Sequence, residues 1–212
     1  MNAEHSKTIV VQKTYDSLAS EYDQRWQRYV DATIDATLKG LALSGDESLL
    51  DVPCGTGELE GRLLLKWPNL RITGVDLSPR MLEQARVKSF ADHVKWAQAD
   101  VSRLPFSNES FDYALCVNSF HYFSSPQKSL KEICRVLRPD GTFILVDWCD
   151  DYLTCKLCSL WLRWTDPAFH KTYSLRRCRM LLEEAGLKEV SARKVRVLRI
   201  WGLMRLVTQK QR

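Results

Sequence analysis

Hydrophobic positions change their period several times along the chain, and each change marks an element. In residues 8–24, TIVVQKTYDSLASEYDQ, Tyr15, Leu18 and Tyr22 fall at i, i+3 and i+7, one face of a helix. Trp26, Tyr29, Val30, Thr33, Ile34, Thr37, Leu38 and Leu41 continue the rhythm as a second helix, read as packing. Short apolar runs then alternate with helical patterns. Residues 49–52, 70–75, 94–99, 111–117 and 142–148 read as strands, and Ser78-Pro79 and Ser125-Pro126 open helices between them. Strand and helix alternating five times predict an α/β fold with a mostly parallel sheet covered on both faces. Residues 150–173 depart from this rhythm. Ser174 caps a helix that stops at Gly186, and residues 194–200 read as a last strand.

Residues 48–65, SLLDVPCGTGELEGRLLL, join a strand to a helix through Pro53, Cys54, Gly55, Thr56 and Gly57, with Asp51 just before the turn. A turn of this kind brings backbone close to a ligand and aims free amides at it, which suits a nucleotide-like or carboxylate group. The dinucleotide pattern G-x-G-x-x-G wants glycine at 60, where Glu60 stands, and the lysine of a P-loop is absent. Asp76 closes the second strand, where a carboxylate can accept from two ribose hydroxyls and would repel a ribose 2′-phosphate.

With 212 residues and 45% hydrophobic content the chain suits one α/β domain with a full core. Seven cysteines, an odd and scattered number, suit reduced thiols. The first ten residues hold no apolar signal core and no apolar run approaches a membrane span, so a soluble, cytoplasmic protein is expected. The net charge of +5 is uneven: residues 187–212 carry eight Lys or Arg against one Glu. That stretch reads as a solvated strand face and a tail, or as a contact for nucleic acid, an anionic membrane or an acidic partner.

Taken together, DVPCGTG, VDLSPRMLEQA, QADVSRLPF, RVLRPDGTFILVDW and YDSLASEYDQRW resemble the class I S-adenosylmethionine-dependent methyltransferases of the ubiquinone/menaquinone-biosynthesis, or type 11, kind, over roughly Tyr15 to Val190. The resemblance implies a Rossmann-like doubly wound seven-stranded sheet, mostly parallel, with one antiparallel strand between the fifth and sixth. It divides a single domain, 1–212, into a helical cap (1–45), a cofactor-binding core (46–149), a substrate lid (150–173) and a C-terminal helix with strands (174–212). S-adenosylmethionine is the implied cofactor. Asp51, Cys54, Gly55 and Gly57 would surround its methionine part, with Pro53 where the family usually has glycine. Asp76, Leu77 and Met81 would meet ribose and adenine, Asp100 would accept from the adenine amino group, and Val101 would meet the ring. Val117 and Asn118 complete the set, and Tyr15 and Tyr22 would close over it.

Residues 118–123, NSFHYF, follow the fourth strand, where a doubly wound sheet opens its crevice. Neither the Asn/Asp-Pro-Pro-aromatic motif of amino-group DNA methyltransferases nor the Pro-Cys of cytosine C5 enzymes stands there, so no DNA partner is expected. His121 is the candidate general base. Asp147 at the end of the fifth strand, and Trp164, His170 and Tyr173 of the lid, are the expected substrate contacts, suited to an aromatic, quinoid or cationic molecule. Cys155 and Cys158 lack further close-set ligands, so no metal is expected. The function read from these residues is methyl transfer to an O, N or C nucleophile of a small molecule. An RNA or protein methyltransferase using the basic C-terminus, a nicotinamide-linked oxidoreductase, and a cofactor-binding protein without activity stay open. Residues 201–207 would touch a membrane surface were the substrate a lipid-tailed quinone.

Overall fold

The computed structural model describes residues 3–211; positions 1, 2 and 212 of the expected 1–212 span lie outside the described residues. Helices α1 (Ala3–Leu18) and α2 (Tyr22–Leu38) come first. There follow β1 (Ser48–Asp51), α3 (Glu58–Lys66), β2 (Arg71–Asp76), α4 (Pro79–Arg86), β3 (Val94–Gln98), β4 (Phe111–Val117), α5 (Pro126–Val136) and β5 (Leu137–Trp148). Beyond them lie α6 (Leu153–Thr165), α7 (Leu175–Glu184), β6 (Leu187–Val197) and β7 (Trp201–Lys210).

The strands form one sheet in the order β3-β2-β1-β4-β5-β7-β6. All neighbours run parallel except β7, which is antiparallel to both β5 and β6. The order reverses between β1 and β4, which opens a crevice at the carboxyl ends of those strands. Successive side chains point to opposite faces: Leu50, Ala114 and Phe143 join a core under α5 and α7, while Leu49, Leu115 and Ile144 join a second core under α2 and α3.

The structure corrects three expectations. The helix expected over residues 8–24 breaks between Leu18 and Tyr22, where buried Ala19 forms the elbow. Ala, Ser and Glu carry no stop signal there, so packing decides the turn. The strand expected over residues 194–200 is a hairpin, turning at Leu198 and Arg199 with φ of +49° and +60°. Such a turn normally calls for Asn or Gly. Residues 201–207, a membrane contact only were the substrate a lipid-tailed quinone, lie inside the sheet: Leu203, Met204 and Leu206 are fully buried in β7, because β5 and β6 flank it on both sides. The basic C-terminal stretch is accordingly two strands over its described length and no tail. Among the described residues no helix is long and apolar enough to cross a membrane, no group of His, Cys, Asp and Glu is placed to hold a metal, and the seven cysteines are free.

Candidate functional site

The carboxyl ends of β1, β2 and β4 and the turns after them form one wall of a cleft, which α1 and α2 close from the other side. Beyond β1 the chain turns at Gly55 and Gly57, with φ of +55° and +83°, conformations open to glycine at no steric cost. A Cβ on Gly55 would meet nothing within 4 Å, so the backbone there opens onto the cleft. Gly57, the N-cap of α3, stands behind the wall, where a Cβ would press on Trp96. The Val52–Pro53 peptide is cis.

Asp76 holds this turn in place. Its Oδ2 accepts from the Gly55 amide and its Oδ1 from the Ser78 amide, both at 2.8 Å, so one buried carboxylate ties the glycine turn to the start of α4. Each oxygen keeps a further lone pair for a ligand hydroxyl. Burial pushes the Asp76 carboxyl up to about 6, against the pull of those amides. Ser78 caps α4, its Oγ accepting from the Met81 amide at 3.1 Å and donating to Asp16 of α1. Asp100 forms an Asx turn with the Ser102 amide through Oδ1, while Oδ2 accepts from Thr8 Oγ of α1 at 3.4 Å. Cys54, Leu77, Met81, Val101 and Val117 supply apolar wall between these acids.

A second pair of acids lies at the floor. Asp51 and Glu60 are 2% and 0% exposed, and Asp51 Oδ1 and both Glu60 oxygens have no hydrogen-bond partner. Gly74 makes the room: a Cβ there would stand 2.8 Å from Glu60 Oε1 and 2.6 Å from the Trp96 ring. Burial, then the facing Glu60 carboxyl, raises Asp51 well above the carboxylate range. Burial also pushes Glu60 up to about 8, against relief from its own amide, Asp51 and Lys88. Two such carboxyls cannot both ionise cheaply, so the pair keeps a proton at neutral pH.

Tyr15 and Tyr22 stand over the cleft with ring centroids 6.2 Å apart, and Tyr15 meets Tyr122 edge to face at 5.3 Å. Burial raises both phenols, Tyr22 to about 12, so they stay neutral. Asp23 clamps α2 down, accepting from Thr56 Oγ at 2.5 Å and pairing with Lys88 at 2.9 Å. At the end of β4, Asn118 has φ of +56°; its Oδ1 accepts from Tyr29 and its Nδ2 donates to Thr33.

His121 sits one layer behind the wall. It is 4% exposed, with Nδ1 2.6 Å from Asp147 Oδ1 and its ring stacked on Trp148 at 5.1 Å. Of residues 118–123, expected to face the crevice together, Phe120 and His121 turn inward instead, because a short helical turn at Phe120–Tyr122 points them at β5. The four expected substrate contacts also lie off the cleft. Asp147 is spent on His121, and its Oδ2 accepts from the His121 amide. Tyr173 packs on Phe120 at 5.0 Å in the core. The His170 ring lies 3.5 Å from Lys7. Trp164 is 90% exposed, since residues 153–165 form a regular helix that buries Cys155 and Ser159 and turns this ring outward.

Several residues around the site had no distinct signal in the sequence: Glu60, Asp16, Asp23 and Tyr29. Glu60 reads as an ordinary first-turn acid favoured by the helix dipole. The one hint is its place on the same helical face as Leu63 and Leu64, both buried.

Residues 50–145 match the family described as Methyltransferase domain. Biotin biosynthesis bifunctional protein BioHC of Teredinibacter turnerae is 32% identical over 195 residues, 85% of this chain and 34% of that protein. Demethylmenaquinone methyltransferase of Deinococcus radiodurans is 33% identical over 150 residues, 67% of this chain and 61% of that one. The chain thus spans between a third and about three fifths of the length of these curated relatives. A chain solved in the complex between the Haloferax volcanii Trm112 methyltransferase activator and a methyltransferase superposes with a TM-score of 0.84 at 21% identity, covering 93% of this chain and 98% of that one, a likeness of fold.

Sheet order, glycine turn and strand-end acids define a class I S-adenosylmethionine-dependent methyltransferase fold and site. Within that class residues 50–145 match the Methyltransferase domain family, and S-adenosylmethionine is the cofactor the site suits. The residues present fit that cofactor: Asp51 offers an unpartnered buried carboxylate oxygen to a cationic group, Asp76 offers spare lone pairs to hydroxyls, and the backbone at Gly55 is open.

Proposed function

We propose that the protein transfers the methyl group of S-adenosylmethionine to an oxygen, nitrogen or carbon nucleophile of a small molecule, with aromatic and quinoid rings the first class to screen. The observation that carries this reading is the buried, unpartnered carboxylate oxygen of Asp51 set in one wall with the open Gly55 backbone and Asp76. Bound there, S-adenosylmethionine supplies an electrophilic methyl group on a sulfonium. Asp51 faces the cationic part of the cofactor, Asp76 accepts from the ribose hydroxyls while fixing the turn, and Asp100 takes the adenine amino group. Tyr15 and Tyr22, neutral and half-buried, cover the cleft and exclude water. Alignment at near-contact distance then supplies much of the barrier reduction.

A nucleophile that carries a proton also needs an acceptor. The proposed one is His121, one layer behind the wall with Nδ1 2.6 Å from Asp147 Oδ1, which would take the proton through a water at the wall rather than by direct contact. Calorimetric titration with S-adenosylmethionine, S-adenosylhomocysteine and NADH, followed by transfer of labelled methyl to phenols, quinones and amines, tests the reading. Binding of the two sulfur ligands and label on a small molecule are expected. Binding of NADH in their place would overturn it.

A further inference from the structure

Helix α6 presents its apolar side to solvent. Leu153, Leu157, Leu160, Trp161 and Trp164 are 71%, 59%, 54%, 64% and 90% exposed. At 3.6 residues per turn these five positions fall within an arc of about 100°, one continuous stripe. The opposite side is anchored: Cys155 and Ser159 are buried, and Cys155 Sγ lies 3.1 Å from the Gly202 carbonyl. The stripe is thus the free face of a helix already packed on its other side.

The charge along its length has one sign. Residues 152–165 hold Lys156 and Arg163, both exposed beside the stripe, and no Asp or Glu. The helix starts against the turn end of the β6–β7 hairpin: Gly202 leaves room for the Tyr152 ring, and the Arg196 guanidinium lies over that ring at 5.3 Å. At the hairpin tip Leu198 and Ile200 are 47% and 59% exposed on either side of Arg199. Residues 190–205 contain five Lys or Arg and no acid. The acids at the ends of α6 have their own partners: Asp151 pairs with Lys194, Asp150 accepts from Thr172, and Asp166 accepts from Tyr122.

We propose that α6 and the neighbouring hairpin tip rest on an anionic lipid surface, with the Leu and Trp side chains in the apolar boundary and Lys156, Arg163, Arg196 and Arg199 on the phosphates. Such a surface offers apolar depth and negative charge together, the two things this face lacks in itself. Tryptophan suits the boundary because its ring is apolar and its N–H is polar. A second copy of the chain is disfavoured as occupant, since a two-fold contact would bring two helix faces together whose charged residues along 152–165 are all basic. The proposal does not depend on the cofactor reading.

Co-sedimentation with phosphatidylcholine vesicles, with and without phosphatidylglycerol, tests it beside tryptophan emission. Binding to the anionic vesicles with a blue shift, weakened by salt, is expected, and Leu157→Ser, Trp161→Ser and Trp164→Ser should together lower it at least roughly tenfold. Their melting temperature should not move, because these side chains are exposed. Failure of the native protein to bind anionic vesicles, undiminished binding of the triple variant, or a dimer in light scattering that the triple variant dissociates would each overturn the proposal.

Discussion

Asp51 and Glu60 face each other at the floor of the cleft, and neither Asp51 Oδ1 nor either oxygen of Glu60 finds a donor. Raised carboxyl pKa values, with Glu60 at about 8, mean that the pair holds a proton at neutral pH which a cationic ligand would displace. S-adenosylmethionine should therefore bind more tightly as pH rises toward 8, by at most about tenfold per pH unit, and level off above. Calorimetry in two buffers of different ionisation heat should read proton release at neutral pH. Equal apparent heats in both buffers would sink the idea.

The same pair bears on stability. A carboxyl whose folded pKa lies above its unfolded one holds extra protons in the folded state. Its favourable contribution is then present at pH below the unfolded value, 4.5 for Glu60, and is lost as pH rises through about 8. Glu60→Gln removes that loss and gives Asp51 an amide donor. Urea melts should show the variant ahead by about 1–3 kcal/mol in alkaline buffer and by much less in acid. A difference that does not change with pH would contradict the assignment.

Asp76 serves the fold before it serves any ligand, because two backbone amides on different loops depend on it. Asp76→Ala should cost about 2–4 kcal/mol of stability and lower cofactor affinity by more than about a hundredfold. Asp76→Asn keeps an acceptor for one amide and should lose less in both measurements. A fully stable Asp76→Ala protein would show that the glycine turn holds its shape unaided.

His121 and the cleft separate in a different way. The ring lies behind the wall, so His121→Gln should leave the dissociation constant of S-adenosylhomocysteine unchanged while lowering kcat about a hundredfold for a protonated nucleophile. Were binding to weaken and kcat to hold, His121 would be supporting the wall and not moving a proton.

Much of this fold is legible in the chain because its signals are local. The run from Leu49 to Gly57 and the Ser78-Pro79 cap each announce themselves within a few residues, and the structure places Gly55, Asp76, Asp100 and the two tyrosines around one cleft. What stays silent is set by distant partners. Glu60 of α3 is buried because Gly74, on β2, leaves room for it. The β6–β7 turn uses Leu198 and Arg199 in a conformation their types rarely adopt, and only pairing across the hairpin fixes it. The aromatic residues of the segment after β5 announce a binding surface, but which way Trp164 or Tyr173 points depends on the side of α6 that meets β7.

The place of β7 also sets an order of assembly. It lies inside the sheet although it follows both its neighbours in sequence, bonded to β5 on one side and β6 on the other. On a ribosome β5 and β6 emerge first, each with an unsatisfied edge, and neither can be closed until residues 201–210 have been made. Nascent chains therefore carry two open strand edges until residues 201–210 emerge, when one strand inserts and seals both.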